Sequence, residues 1–241
     1  MEEILLRFLG YYSLMAEGLA DIFAIFLKNY PLLFKGLLVT VYLTVISSVM
    51  GTVLGTFLAL GKIYGNKFLS GILSAFIGLI QGTPLLVQLF LIYYGLPPFG
   101  IRLGAITAAL ISFIINSGAY QAEYLRGSIQ SVSSGQLKAA LSIGMSKWQG
   151  IFHIILPQAL RRVIPAWTNE FIYLLKYTSL AYIITAPEIM GEAKIIASRN
   201  YQFFNTYLIV AFIYLLVVIF FTYIFNYIEK KFTIPGFEFD R

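Results

Sequence analysis

Apolar positions in this chain fall in long runs, not in the alternation of half-buried strands or the one-sided stripes of soluble helices. A bilayer-spanning helix needs about 20 mostly apolar residues. Five stretches meet that pattern: Leu32 to Leu60, Phe68 to Tyr94, Leu103 to Gly118, Ala159 to Thr185, and Tyr207 to Ile228. The third is short in apolar terms and is expected to continue as helix through Tyr120 to Arg126. The fourth is the least clean, because Glu170 and Lys176 lie inside it. Residues 1–30 are apolar but broken by charges and glycines, and read as an interfacial amphipathic helix, with a sixth span as the alternative. The expected fold class is all-α and membrane-embedded: a segment 1–30, a transmembrane domain 31–229 and a tail 230–241.

Within the first run Ser47, Gly51, Gly55 and Ala59 recur every four residues, and Ser74, Gly78 and Gly82 do so in the second. Small residues at this spacing let helix backbones approach closely in lipid, so both stripes are expected to pack within the bundle.

Composition agrees with lipid as the solvent. Charged residues make up 12 % of the chain against about 25 % in soluble domains, and mean hydropathy is +0.81. The net charge of +6 is spread without a dense Lys/Arg patch, which argues against nucleic acid. Counted near the span ends, ten Lys and Arg (Lys62, Lys67, Arg126, Lys138, Lys147, Arg161, Arg162, Lys230, Lys231, Arg241) share one side and six share the other. The richer side is expected to be cytoplasmic, with the N-terminus outside and the C-terminus inside. Cysteine is absent and His153 is the single histidine, so thiol chemistry and histidine-based metal clusters are excluded.

One stretch breaks the apolar pattern. Between the third and fourth runs, residues 127–158 contain "SSGQLKAALSIGMSKWQGIFHIILP". Ser133 with Gln136 forms a capping-box signal, Gln136 to Ile143 reads as a short helix, Gly144 ends it, and Pro157 marks entry to the next run. A short capped helix held between two spans on the cytoplasmic face is a docking element. The chain has no phosphate cradle: "GTFLALGKI" (Gly55 to Ile63) has the wrong glycine spacing and lacks Ser or Thr after Lys62. Energy for any alternating movement must then come from a separate subunit.

The stretch resembles the cytoplasmic "EAA" loop of ATP-binding-cassette importer permeases, reading here Lys138-Ala139-Ala140, Gly144 and Ile155-Leu156-Pro157. Lys138 stands where that pattern carries an acidic residue. "QGTPLLVQLFLIYYGLP", "NSGAYQAEYLRGSIQSV" and "PAWTNEFIYLLKYTSL" are similar to the polar amino acid subgroup, and the resemblance runs from about Leu32 to Glu229. It implies a five-helix type I permease core in a bacterial cell membrane, working as a homo- or heterodimer of permeases. It also implies two cytoplasmic ATPases that bind ATP and magnesium, and an extracytoplasmic amino-acid-binding protein. Gln136, Lys138, Ala139, Ala140, Gly144 and Met145 are the residues it marks for ATPase coupling, with no cofactor or catalytic residue in this chain.

Polar groups at membrane depth are costly and mark functional candidates. Asn169, Glu170, Tyr173, Lys176 and Tyr177 fall within about one third of a helical wheel. Pro84 frees the carbonyl of Ile80, with Gln81, Thr83 and Gln88 nearby, and Asn116 adds a polar group in the third run. Glu170 suits the ammonium of an amino acid; Lys176, Asn116 or the backbone near Pro84 suits its carboxylate. The candidate path residues are Glu170, Lys176, Asn116, Gln88, Thr83 and Tyr173. Trp148 and Trp167 are expected at interface depth, and Glu188 and Glu192 in solvent, with a docking surface for an external binding protein as the alternative. A stand-alone secondary carrier or channel is the alternative, and a membrane enzyme is disfavoured for want of clustered acid–base groups.

Overall fold

The computed structural model describes the backbone of residues 2–232 and the side chains of residues 18–232. Its first helix, α1 (Glu2–Tyr64), is longer than the first apolar run and passes through Pro31 without a break, so the expected segment 1–30 is continuous with the first span from Glu2 onward. The part of α1 from Gly18 to Tyr64 alone has 47 residues and measures about 70 Å, more than twice a hydrocarbon core of ~30 Å.

The second run does not form one helix. α2 (Lys67–Gln81) and α3 (Leu85–Gly95) meet at an angle of 100° across Gly82, Thr83 and Pro84. Pro84 has no N–H to donate and its ring collides with the carbonyl four residues back, so the helix cannot continue straight. α4 (Ala105–Ser131) extends past Arg126, as expected. The coupling region contains α5 (Ser134–Ser142) and α6 (Lys147–Gly150), followed by a π-helical turn at Ile151–Ile155 that leads into α7 (Leu156–Tyr177). A 3₁₀ turn at Thr178–Ile184, α8 (Ile189–Asn200) and α9 (Phe203–Phe232) complete the described chain. α1, α4 and α9 are long and apolar enough to cross a bilayer outright, and α2 with α3 forms a broken span. α7 has 22 residues, about 33 Å, but is the most polar of the predicted spans.

The bundle closes around α4. A Cβ on Gly55 of α1 would sit 2.7 Å from the Gln121 Cβ, one on Gly51 would sit 2.9 Å from the Ser117 Oγ, and one on Gly118 would sit 2.8 Å from Leu54. The small-residue stripe of α1 therefore lets two backbones touch. The stripe of α2 does not behave this way: Gly78 is exposed, with open space around it. The period of four was read correctly, but α2 turns only Ile77 and Ile80 into the core. α7 holds α9 through Trp167 and Phe171, whose rings lie 5.4 and 4.9 Å from the Phe225 ring. Trp167 also donates from Nε1 to the Thr52 Oγ1 at 2.7 Å, so it fastens α7 to α1 as well.

Candidate functional site

At one end of the bundle the loop forms a compact lever. α5 stops in a Schellman arrangement: Gly144 N–H donates to the Leu141 carbonyl and Met145 N–H to the Ala140 carbonyl, both at 3.1 Å. Gly144 makes the turn at φ 86°, a left-handed conformation that favours glycine. At the other end of α5 the Ser133 Oγ accepts from Gly135 N at 3.3 Å, so Gln136 closes no capping box there. The reciprocal box belongs to α6, where Gln149 N donates to Ser146 Oγ and Ser146 N to Gln149 Oε1. Pro157 cannot donate to the His153 carbonyl, and the backbone answers with a wider turn in which Leu156 N reaches the Ile151 carbonyl. The Gln158 side chain caps the Ile154 carbonyl at 2.8 Å.

The lever has an inner and an outer face. Ala140 is fully buried, and a Cβ on Gly150 would lie 3.3 Å from the Ala140 Cβ and 2.8 Å from Leu137. The smallness of Ala140 thus serves packing inside the loop. Gln136, Lys138, Ala139 and Gly144 are exposed, Met145 is half-buried, and Ile143 is 78 % exposed. Leu137 and Ile151 join a core with Leu60, Leu125 and Ala159, which ties the lever to α1, α4 and α7.

An ion cluster stitches the same end. Glu123 of α4 accepts from Lys62 Nζ of α1 at 2.6 Å and from Arg126 Nε at 2.8 Å, and Arg126 also reaches Gln130 at 2.7 Å. Arg162 of α7 donates to the Ser131 Oγ at 2.9 Å. These contacts join α1 to α4 and α4 to α7.

The predicted path residues divide into three groups. Gln88 Nε2 donates to the Ile80 carbonyl at 2.7 Å and to Thr83 Oγ1 at 2.9 Å, while Asn116 Nδ2 donates to Gln88 Oε1 at 3.1 Å. Gln88, Thr83 and Asn116 thus satisfy one another and the broken helix end. Glu170 is buried, with its carboxyl toward the Tyr124 phenol of α4. Asn169, Tyr173, Lys176 and Tyr177 form an exposed stripe of α7, with Lys176 Nζ 4.5 Å from the Tyr173 ring centre and the two tyrosine rings stacked. The wheel placed Glu170 in this stripe, but it sits at the edge of the sector and turns inward.

Glu188 corrects the sequence reading most. Expected in solvent, it is fully buried and caps α8, accepting from Met190 N at 3.0 Å and Gly191 N at 2.8 Å. Thr40 of α1 and Tyr214 of α9 also donate to it, at 3.4 and 3.3 Å. Its place one residue after Pro187 and at the head of a helix is the signal that would have found it. Gly36 makes room alongside: a Cβ there would lie 2.8 Å from the Ile189 Cα.

The family model described as "Binding-protein-dependent transport system inner membrane component" matches residues 51–234. A probable amino-acid permease protein, YxeN of Bacillus subtilis, is 40 % identical over 214 residues, covering 87 % of this chain and 95 % of the relative. The glutamine transport system permease protein GlnP of Escherichia coli is 34 % identical, covering 83 % and 93 %. Among solved structures, an amino acid ABC transporter with histidines has a chain 39 % identical at a TM-score of 0.78, with 85 % of this chain and 96 % of that one covered. These relatives give no support to a stand-alone carrier. The chain belongs to the binding-protein-dependent transport system inner membrane component family, the permease subunits of ABC importers.

Proposed function

We propose that the chain forms half of the translocation path of an importer for polar amino acids, working as a homo- or heterodimer. Two cytoplasmic ATPases hold ATP and magnesium, and an extracytoplasmic binding protein delivers the cargo. α5 is the docking lever, with the N-terminus outside and the C-terminus in the cytoplasm. The observation that carries this reading is the two-faced lever, with Ala140 and Leu137 locked inward and Lys138, Ala139 and Ile143 presented outward. Closure of the ATPase dimer draws two levers together, and the core that Leu137 and Ile151 share with Leu60, Leu125 and Ala159 passes the displacement to α1, α4 and α7.

The stripe Asn169–Tyr173–Lys176–Tyr177 supports the path assignment. A polar helix face at membrane depth is stable only against water or a second protein surface. Glu170, one residue from the stripe, is the group suited to a substrate ammonium, and Lys176 to a carboxylate. Purifying the chain with a partner ATPase and binding protein, and measuring uptake of labelled polar amino acids into vesicles, tests the reading. ATP-dependent, binding-protein-dependent uptake is expected. Gradient-driven uptake by the chain alone would contradict it.

A further inference from the structure

The seam between α1 and α4 buries polar groups that have nothing to bond. Gly51 of α1 lies against Ser117 of α4, and Gly55 against Gln121, so the two helices run in the same direction in one register. Gln121 is fully buried there, and neither atom of its side-chain amide has a hydrogen-bond partner among the described residues. The hydroxyls of Ser47, Ser48 and Ser117, also fully buried, have none either. Buried hydroxyls beside them bond back to their own helix: Thr44 donates to the Thr40 carbonyl at 2.8 Å and Ser112 to the Ala108 carbonyl at 2.9 Å. A buried donor or acceptor left unmet destabilises the packing that buries it. Four such side chains on one seam therefore point to a second packing that pairs them.

The sequence indicates which packing that is. On α1 the seam reads Ser47, Gly51, Gly55 and Ala59, one small residue per turn. Moving α4 by one turn, about 6 Å, toward the start of α1 keeps a small residue opposite each side chain of α4. Ser117 then leaves Gly51 for Ser47. Gln121 leaves Gly55 for Gly51, with Ser47 and Ser48 one turn away. Leu54, now against Gly118, meets Ala122. A turn in the other direction would set Gln121 against Ala59 and Ser117 against Gly55, and would gain no polar partner. Packed elements that move past one another do so in such whole-turn steps between two meshed positions.

The described register has its own ties. Lys62 of α1 is paired with Glu123 of α4, and Trp167 of α7 donates to Thr52 of α1. Nearer its start α1 is held in place, because Gly36 lies against Ile189 and Thr40 donates to Glu188. α4 ends at Ser131 and α5 begins at Ser134, so a displaced lever acts directly on α4.

We propose that α1 and α4 form a two-position ratchet. One register is closed by the Lys62–Glu123 pair, the other by hydrogen bonds of Gln121 and Ser117 to Ser47 and Ser48. Gln121 is a positioning residue that makes the described register easier to leave. The inference rests on the importer reading for the force on the lever, and adds where in the membrane that movement is taken up.

Gln121→Leu fills similar space with neither donor nor acceptor. In the complete transporter without nucleotide, its melting temperature in nanodiscs is expected to rise by about 2–4 °C, while ATP-driven uptake into vesicles falls roughly tenfold. An amide that only packs, or that an ordered water bridges to the serines, would lose stability on this change. An unchanged or lower melting temperature therefore overturns the ratchet. The second measurement uses the double variant S47C/S117C, since the chain has no cysteine of its own. These positions are a turn apart in the described register, beyond disulfide reach, and face each other in the second. Under mild oxidation the disulfide is expected to form in one nucleotide condition, with ATP or without it, and not in the other. Equal yields in both overturn the ratchet. A parent complex that shows no ATP-driven uptake overturns instead the importer reading, and with it the force that moves the seam.

Discussion

The Gln88 amide donates at 2.7 Å to the carbonyl of Ile80, the acceptor that Pro84 leaves without its helical donor. One side chain thus repairs the break in a span, and Asn116 secures it from α4. In Gln88→Leu the Ile80 carbonyl and the Asn116 amide both lose a partner in a buried setting, at a cost of about 1–3 kcal/mol each. The variant is expected to insert but to melt several degrees lower in lipid nanodiscs. An unchanged melting temperature would show that the broken helix end does not depend on this amide.

Gly144 holds φ 86°, where an L side chain costs about 1–2 kcal/mol. Space around it is open, so Gly144→Ala acts through backbone strain and not through a clash. The prediction is that α5 loses its Schellman end and transport falls roughly tenfold, while the assembled ATPase continues to hydrolyse ATP. Gly144→Asp, bulkier and charged, should abolish uptake. Parent-like uptake by the Asp variant would separate the lever from transport.

Glu170 is buried beside the exposed stripe of α7, and the account gives its charge a role toward cargo. Glu170→Gln keeps the shape and the approach to Tyr124 but removes the carboxylate. Uptake is expected to fall at least tenfold, an interaction with a charged group being worth roughly 1.5–3 kcal/mol, with thermal stability nearly unchanged. Parallel loss of stability and uptake would mark Glu170 as a packing residue instead.

Glu188 caps α8 and joins α1 to α9. Glu188→Ala removes acceptors for two backbone and two side-chain donors, and the loss of the cap alone costs about 0.5–2 kcal/mol. Hydrogen exchange at α8 amides is expected to speed up markedly while α5 and α6 stay protected. Uniform exchange in the parent and the variant would deny the carboxylate its anchoring role.

Features set by the backbone were legible in the sequence. Pro84 and Gly144 act on their own chain neighbours, so the broken helix and the left-handed turn followed from residue type. The loop was legible because its polarity interrupts an apolar chain. What stayed hidden depends on which face meets which neighbour. The period-four stripes of α1 and α2 look alike, yet only that of α1 meets α4, at Ser117 and Gln121. Ala139 and Ala140 are adjacent and identical, yet one is exposed and the other fully buried, because Gly150 lies against the latter. Glu188 reads as a solvated loop acid until Thr40 and Tyr214, far away in sequence, are seen around it.

The central claim is that α5 touches an ATP-hydrolysing subunit with its outer face, and the absence of native cysteine makes it directly testable. A single cysteine at Ala139, reacted with a short bifunctional cross-linker in membranes holding the whole transporter, should yield an adduct with the ATPase whose amount changes on adding ATP. A cysteine placed at the buried Ala140 should give little. An Ala139 adduct formed only with lipid or with an extracytoplasmic protein, and none with the ATPase, would contradict the account.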